Sequence, residues 1–307
     1  AIRPTSCFGR PARLPDLRRR DQCKLRGVEW RVYGALPVLQ SRHPAESMSA
    51  DFLPAVELPA ALHLSGEQTA AILAYLGGRR GPPNDASLTA LVAGYVRRVP
   101  WESASRIARK NAAGGAAIAA RPPAAFWADA LTHGSGGTCF ESNLAFYALL
   151  RTLGFDGYLT INDMHESVGC HTAIIVKLND QSFLTDVGIP LHRPLPLTPD
   201  KITRARSAFH TYVAQPDEPR RYIIERTRHP NRYIFTLVDR PVALDVYSAT
   251  SSADYGEAGL FLDKVIANKL VEGKLSRFSS GERPYHIKRF GLGNDYEEIS
   301  LPTHALA

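Results

Sequence analysis

Cysteine is scarce and scattered in this chain. Of 307 residues only Cys7, Cys23, Cys139 and Cys170 carry thiols, a spacing that suits neither a zinc ribbon nor a dense disulfide framework. Reduced thiols in the cytoplasm are the simpler expectation, with a Cys7–Cys23 or Cys139–Cys170 bridge left open by sequence. Long apolar runs are missing too. A membrane-spanning helix needs roughly 18 apolar residues or more, whereas the best run, Ile174 to Leu178, is strand-sized and interrupted by Lys177. No internal repeat is visible.

The net charge of +7 is concentrated at one end. Residues 1–47 hold nine arginines and Lys24 against Asp16, Asp21, Glu29 and Glu46, which leaves only +1 for residues 48–307. A basic chain generally favours nucleic acid or membrane surfaces. With a body this close to neutral, neither partner is expected. Composition changes at Met48-Ser49-Ala50-Asp51, a plausible natural start. Residues 1–47 are therefore expected to be a disordered extension outside the fold. An Arg-rich transit leader is the alternative, against which four acidic residues and Trp30 count.

What is present divides into a helical part and a β part. Ser65-Gly66-Glu67-Gln68 has the form of a helix start with an acceptor three residues on, and Ile72, Leu73, Tyr75 and Leu76 supply its apolar face. A second helix fits Ser87 to Arg97. Asn111 to Pro123 reads as a loop with marginal helix, and Ala124 to Leu131 as a short helix. Strand-like runs follow at Tyr158 to Asn162, Thr172 to Leu178, Ser182 to Val187, Thr211 to Ala214, Arg221 to Arg226 and Tyr233 to Val238. A late helix is expected over about Gly259 to Asn268, ahead of Leu270 to Phe278 and a polar tail.

Residues 134–143 read Gly-Ser-Gly-Gly-Thr-Cys-Phe-Glu-Ser-Asn. They place Cys139 between a glycine-rich loop and a helix with Phe140, Leu144, Tyr147, Leu150 and Leu153 on one face, stopped by Gly154. A helix N-terminus offers unpaired N–H groups and partial positive charge, and both favour a thiolate, the nucleophilic form. Buried cysteine is equally a small hydrophobe, so a base is required before Cys139 reads as a nucleophile.

His171 opens an apolar strand, and Asp186 lies fifteen residues later in the next one. A two-residue turn at Asn179-Asp180 would pair Leu178 with Gln181 and His171 with Gly188. Asp186 then falls on the same face as His171, within reach of a carboxylate–imidazole bond. A three-residue loop would send it to the other face. In that register His171 is the base and Asp186 its orienter. Taken singly, His171 also reads as a strand-end histidine and Asp186 as a turn carboxylate. Cys170, adjacent to His171, should face away from the imidazole, and His133 and His165 fall in loops. No metal is expected, because His165, Cys170, His171 and Asp186 match no zinc spacing. The glycine loop lacks the Lys-Ser/Thr pair of a phosphate loop.

Together these residues resemble the arylamine N-acetyltransferase family. Ser135-Gly136-Gly137-Thr138-Cys139-Phe140-Glu141-Ser142-Asn143 is similar to its Arg-Gly-Gly-x-Cys-Phe-Glu-x-Asn element. Pro100-Trp101-Glu102-Ser103 is similar to Pro-Phe-Glu-Asn, and His171 with Asp186-Val187-Gly188 to its His and Asp-Val-Gly. The resemblance runs from about Ser65 to Phe278, weakening after residue 190.

It implies an α+β fold with an N-terminal helical bundle, a central β-barrel and a C-terminal α/β lid. The corresponding divisions are 1–47 (extension), 48–155 (helical, with the nucleophile), 156–250 (barrel, with His and Asp) and 251–307 (lid and tail). It also implies a Cys139–His171–Asp186 triad, acetyl-CoA as co-substrate, a small aromatic amine or hydrazine as acceptor, a thioester intermediate and a cytoplasmic enzyme. Phe140 and Ile189 are expected near the substrate.

The departures are specific. Ser135 replaces the family arginine, leaving Glu102 solvated or paired with Arg98 or Arg106. The loop near Asn162 to Gly169 is short, and Ile189-Pro190 replaces an aromatic-glycine pair. A different acyl donor in amide formation, a hydrolytic outcome, or a non-catalytic binding protein of the same fold are the alternatives.

Overall fold

Ser65 starts the first helix as the sequence suggests. Its hydroxyl accepts from Gln68 N–H while Gln68 returns a bond to Ser65 N–H, satisfying two donors that a helix start otherwise leaves unpaired. The structure, a computed structural model, describes residues 59–114, 120–227, 229, 231–256, 259–293 and 295–302. The expected extension at 1–47 lies outside these. Residues 55–307 cluster as one unit.

The helices are α1 (Gly66–Leu76), α2 (Asp85–Arg98), α3 (Ala104–Ala112), α4 (Pro123–His133), α5 (Cys139–Thr152) and α6 (Leu244–Ala253). A short strand, β1 (Trp101–Glu102), lies between α2 and α3. Asn84, not a residue nearer Ser87, caps α2 in a reciprocal box with Ser87. Helix α3 was not expected from the sequence. The predicted apolar face of α5 is also corrected. Leu144 and Tyr147 are only half-buried, while Ala145, Phe146, Ala148 and Leu149 are fully enclosed, because the helix runs through the centre of the molecule and is covered on several sides.

Strands β2 (Asp156–Met164), β3 (Ser167–Leu178), β4 (Gln181–Leu184), β5 (Leu195–Leu197), β6 (Thr203–Arg206), β7 (Thr211–Pro216), β8 (Arg221–Arg226) and β9 (Tyr233–Val238) form one antiparallel sheet. Its order is β5-β4-β3-β2-β9-β8-β7-β6. The outer strands meet where Thr203 Oγ1 donates to Pro196 O, so the sheet is a nearly closed barrel. Strand β3 is buried on both faces. Ala173 and Ile175 fill the barrel, whereas Ile174 and Val176 pack on the helices, following the two-residue alternation of a strand.

The late helix expected over Gly259 to Asn268 is not present. Ile266–Val271 is strand β10, paired with β11 (Lys274–Ser279) through a two-residue turn with φ of 51° at Glu272 and 77° at Gly273, the twist a tight hairpin prefers. The helix lies earlier instead, at α6, where Tyr247 and Ser251 are buried one turn apart. With β12 (His286–Phe290) and β13 (Tyr296–Ser300), the second sheet runs β1-β10-β11-β12-β13. Leu275 and Phe290 of this sheet join the barrel core. The α+β architecture of bundle, barrel and C-terminal layer is thus present, and α6 runs across residue 250. Among the described residues no helix is long and apolar enough to cross a membrane.

Candidate active site

Cys139 is the first residue of α5, with Thr138 as its N-cap, and is 6 % exposed. The hairpin that should bring base and acid together has the predicted register: Leu178 pairs with Gln181 and Ile175 with Leu184. Asn179 and Asp180 take φ of 48° and 62°, a primed two-residue turn. The expected strand Ser182 to Val187 is too long, however. Pairing ends at Leu184 and Thr185 makes one last bond to Ile174 O, so Asp186 sits in the loop beyond the strand.

The geometry nevertheless joins the pair. His171 Nε2 lies 2.7 Å from Asp186 Oδ2, and Asp186 has no solvent exposure. Cys139, whose Sγ lies 3.9 Å from Cys170 O, is close enough to the imidazole to act on its charge. Since Nε2 is committed to Asp186, Nδ1 is the nitrogen left for sulfur. Burial alone would lower the His171 pKa, but the Asp186 charge and hydrogen bond, with Cys139, raise it to about 10. The site therefore favours imidazolium, the partner of a thiolate.

Asp186 is held by more than His171. Its Oδ1 accepts from Asn143 Nδ2 at 3.0 Å, Gly188 N–H at 2.7 Å and Ile189 N–H at 3.3 Å. Asn143 stands one helical turn after Cys139 and also accepts from Val187 N–H at 3.0 Å. One side chain thus ties the helix that begins at Cys139 to the loop that carries Asp186. A Cβ at Gly188 would lie 2.8 Å from Cys139 Cβ, so this loop passes too close to the helix for any other residue. Tyr247 of α6 donates to Phe140 O at 2.7 Å and accepts from Thr172 Oγ1 at 3.2 Å, adding a third brace.

The glycine loop departs from expectation. Glu102 is neither solvated nor paired with Arg98 or Arg106; it is 7 % exposed and accepts from Ser105 N–H, Ser105 Oγ and Gly136 N–H at 2.8, 2.6 and 3.2 Å. The guanidinium beside the loop comes from Arg121, in the stretch read as a loop. It donates to Gly136 O and, through Nη2 at 2.8 Å, Nε at 3.2 Å and backbone N–H at 2.9 Å, to Glu141. Arg109 and Tyr255 also contact Glu141. Burial alone would raise the Glu141 pKa, yet Arg121 and Arg109 hold it below the ordinary carboxylate value. Arg106 Nη1 bonds Thr138 Oγ1 at 3.3 Å and pairs with Asp254 at 2.7 Å.

The remaining expected residues fall as follows. Phe140 is 1 % exposed, its ring edge-on to Tyr247 at 5.5 Å, and Ile189, 8 % exposed, packs in the barrel core. Both described thiols, Cys139 and Cys170, are free. Cys170 Sγ bonds Ser167 O at 3.2 Å, and burial pushes that thiol up to about 11. Among the described residues no three metal-type side chains converge. Asn143, Arg121 and Tyr247 had no role assigned from sequence. Only Asn143 carried a signal, its four-residue offset from Cys139.

Comparison with known proteins supplies an independent view. A profile of the family described as N-acetyltransferase matches residues 86–272. No curated protein matches by sequence. Among solved structures, the arylamine N-acetyltransferase from Mycobacterium abscessus is similar with TM-score 0.64 and 20 % identity, covering 78 % of this chain and 86 % of that one. That from Salmonella typhimurium gives 0.64, 18 %, 78 % and 87 % for the same quantities. The arylamine N-acetyltransferase from Bacillus cereus, described as having a unique Cys-His-Glu catalytic triad, gives 0.60, 17 %, 79 % and 95 %. At such identities the structural likeness is one of fold.

Proposed function

The chain belongs to the arylamine N-acetyltransferase family and is an enzyme, and from that premise we propose that Cys139 takes an acetyl group from acetyl-CoA and hands it to an arylamine- or hydrazine-type acceptor. The observation that carries this reading is the 2.7 Å contact of His171 with a fully buried Asp186, beside a cysteine at a helix start.

In the first half-reaction the Cys139 thiolate attacks the thioester carbonyl. The C–S bond to CoA breaks, and the leaving thiolate takes the imidazolium proton from His171. In the second half, neutral His171 accepts a proton from the amine as its nitrogen attacks the acetyl-cysteine. Collapse expels the Cys139 thiolate and restores the starting pair. Asp186 keeps one tautomer in play and stabilises the charged imidazole. Splitting the transfer through a thioester replaces one difficult step by two easier ones. The free thiols suit a reducing compartment such as the cytoplasm.

Incubation with acetyl-CoA followed by intact-protein mass spectrometry tests the reading. An acetyl adduct on Cys139 that amines discharge is expected, absent in Cys139→Ala and retained in Cys170→Ala. Rapid alkylation of Cys139 without acetylation moves the donor away from acetyl-CoA. Loss of the adduct in Cys170→Ala alone overturns the choice of nucleophile.

A further inference from the structure

Strand β4 stops at Leu184, and beyond that point α5 takes over the edge of β3. Asn143 Nδ2 donates to Thr172 O at 2.7 Å, and one helical turn earlier Cys139 Sγ lies 3.9 Å from Cys170 O. Cys139 thus sits at a strand edge, between the side chains of both faces. Successive strand residues point to opposite sides, so His171 stands to one side of the sulfur and Cys170 to the other. Two bonds separate Cys170 O from its own Cα, about 2.4 Å. The Cys139 sulfur is therefore within about 6 Å of that carbon.

The segment that carries Cys170 is a bulge. Between the pairs Asn162–His171 and Met164–Ser167, residues 168–170 of β3 face Asp163 alone on β2. Gly169 takes a φ of 69° there, and the half-buried Cys170 thiol donates to Ser167 O at 3.2 Å. Bulges re-aim side chains beside reactive sites. A disulfide holds its Cα atoms about 4.4–6.8 Å apart, a span that a small shift of this bulge can reach. The two thiols also differ in reactivity. The Cys139 thiolate beside the His171 imidazolium is the form that peroxide oxidises. Burial first, and the Cys139 charge after it, raise the Cys170 pKa to about 11, so Cys170 stays protonated and does not compete.

We propose that Cys170 is the resolving thiol of a peroxide switch, closing a Cys139–Cys170 disulfide that stops acyl transfer and shields the nucleophile. This rests on Cys139 being the reactive thiolate, as in the acyl-transfer reading above. In the first step that thiolate attacks one oxygen of hydrogen peroxide. The S–O bond forms, the O–O bond breaks, and the departing hydroxide leaves as water with the His171 proton. Sulfur loses two electrons and the peroxide gains them. In the second step Cys170 sulfur attacks Cys139 sulfur, the S–O bond breaks, and hydroxide leaves as water with the Cys170 proton. A dithiol reverses the bond and returns both thiols. Without Cys170 the sulfenic acid stays open to more peroxide and passes to sulfinic acid, which thiols do not reduce.

The test treats wild type, Cys170→Ala and Cys139→Ser with hydrogen peroxide, then maps unreduced peptides by mass spectrometry. Iodoacetamide alkylation of Cys139 is followed before peroxide and again after dithiothreitol. Wild type should give a Cys139–Cys170 linked peptide and regain its alkylation on reduction. Cys170→Ala should give no link, carry sulfinic acid on Cys139 and lose that recovery. Cys139→Ser should keep Cys170 as a thiol at the same dose. No linked peptide in wild type, a link from Cys139 to Cys7 or Cys23 instead, or equal recovery in wild type and Cys170→Ala overturns the switch. Neither readout uses an acyl donor, so the acyl-transfer reading fails separately, when reduced wild type is alkylated at Cys139 yet takes no acetyl group from acetyl-CoA.

Discussion

Replacing Arg121 by Ala should damage both stability and rate. The side chain is 6 % exposed and contacts Glu141, itself 1 % exposed, together with the Gly136 carbonyl. Breaking a buried pair by removing one partner costs about 3–5 kcal/mol, because the remaining charge is stranded. Arg109 and Tyr255 still reach Glu141, which puts the loss near the lower limit, about 3 kcal/mol. At roughly 2–4 °C per kcal/mol for a unit of this size, Tm should fall by about 6–12 °C. Freed from Arg121, the loop that carries Gly136 and Gly137 into Cys139 shifts, and a displacement of the order of 1 Å is worth roughly a hundredfold in rate. Thermal unfolding and stopped-flow acylation of Cys139 measure the two effects. Arg121→Lys, which restores charge without the fork, should recover only part of each. A variant within about 2 °C of wild type, acylated at the normal rate, would refute the claim that Arg121 fixes this loop.

Gly188→Ala should lower the acylation rate more than stability, because its Cβ would sit 2.8 Å from that of Cys139; overpacking costs about 1–3 kcal/mol, measured by urea unfolding beside kinetics. Asn143→Ala removes bonds to Asp186, Thr172 and Val187 and should slow iodoacetamide alkylation of Cys139 about tenfold as the acid loop loosens; an unaltered rate would deny Asn143 a positioning role. The His171 pKa is raised from its ordinary value to about 10, so stability from its charged form is complete below about pH 6.5 and declines as pH rises towards 10. Urea midpoints across that window should fall in wild type, and His171→Gln should lack this slope. Glu141 has the opposite sign: its depressed pKa gives stability present above about pH 4.3 and lost as pH falls through the folded value. The destabilisation by Glu141→Gln should therefore shrink towards pH 3.

The parts legible in the sequence were those fixed by neighbours along the chain. Ser65 and Gln68 cap each other across one turn, Asn179-Asp180 sets a hairpin, and that hairpin sets which face His171 and Asp186 share. What stayed hidden depends on residues distant in sequence. Arg121 looks like part of a proline- and alanine-rich connection until Glu141 and Gly136 are folded beside it. Glu102 is a mixed case, since Ser105 lies three residues on while Gly136 comes beside it only in the fold. The helix expected over Gly259 to Asn268 overlaps only the start of strand Ile266–Val271, where short apolar spacing fits either period, and the strand's pairing with β1 spans more than half of the chain. Asp186 was assigned the right face and the wrong element, since the acid needs the register of β4 but not its continuation.

The three groups proposed to react come from a single stretch, Cys139 through Gly188, passing one helix, three strands and a loop in turn. The segments before and after it supply the bracing. The stretch is not self-sufficient, however. Tyr247, nearly sixty residues beyond it, clamps Phe140 O and Thr172 Oγ1, and Tyr255 holds Glu141, so a change late in the chain reaches the reactive groups through these phenols.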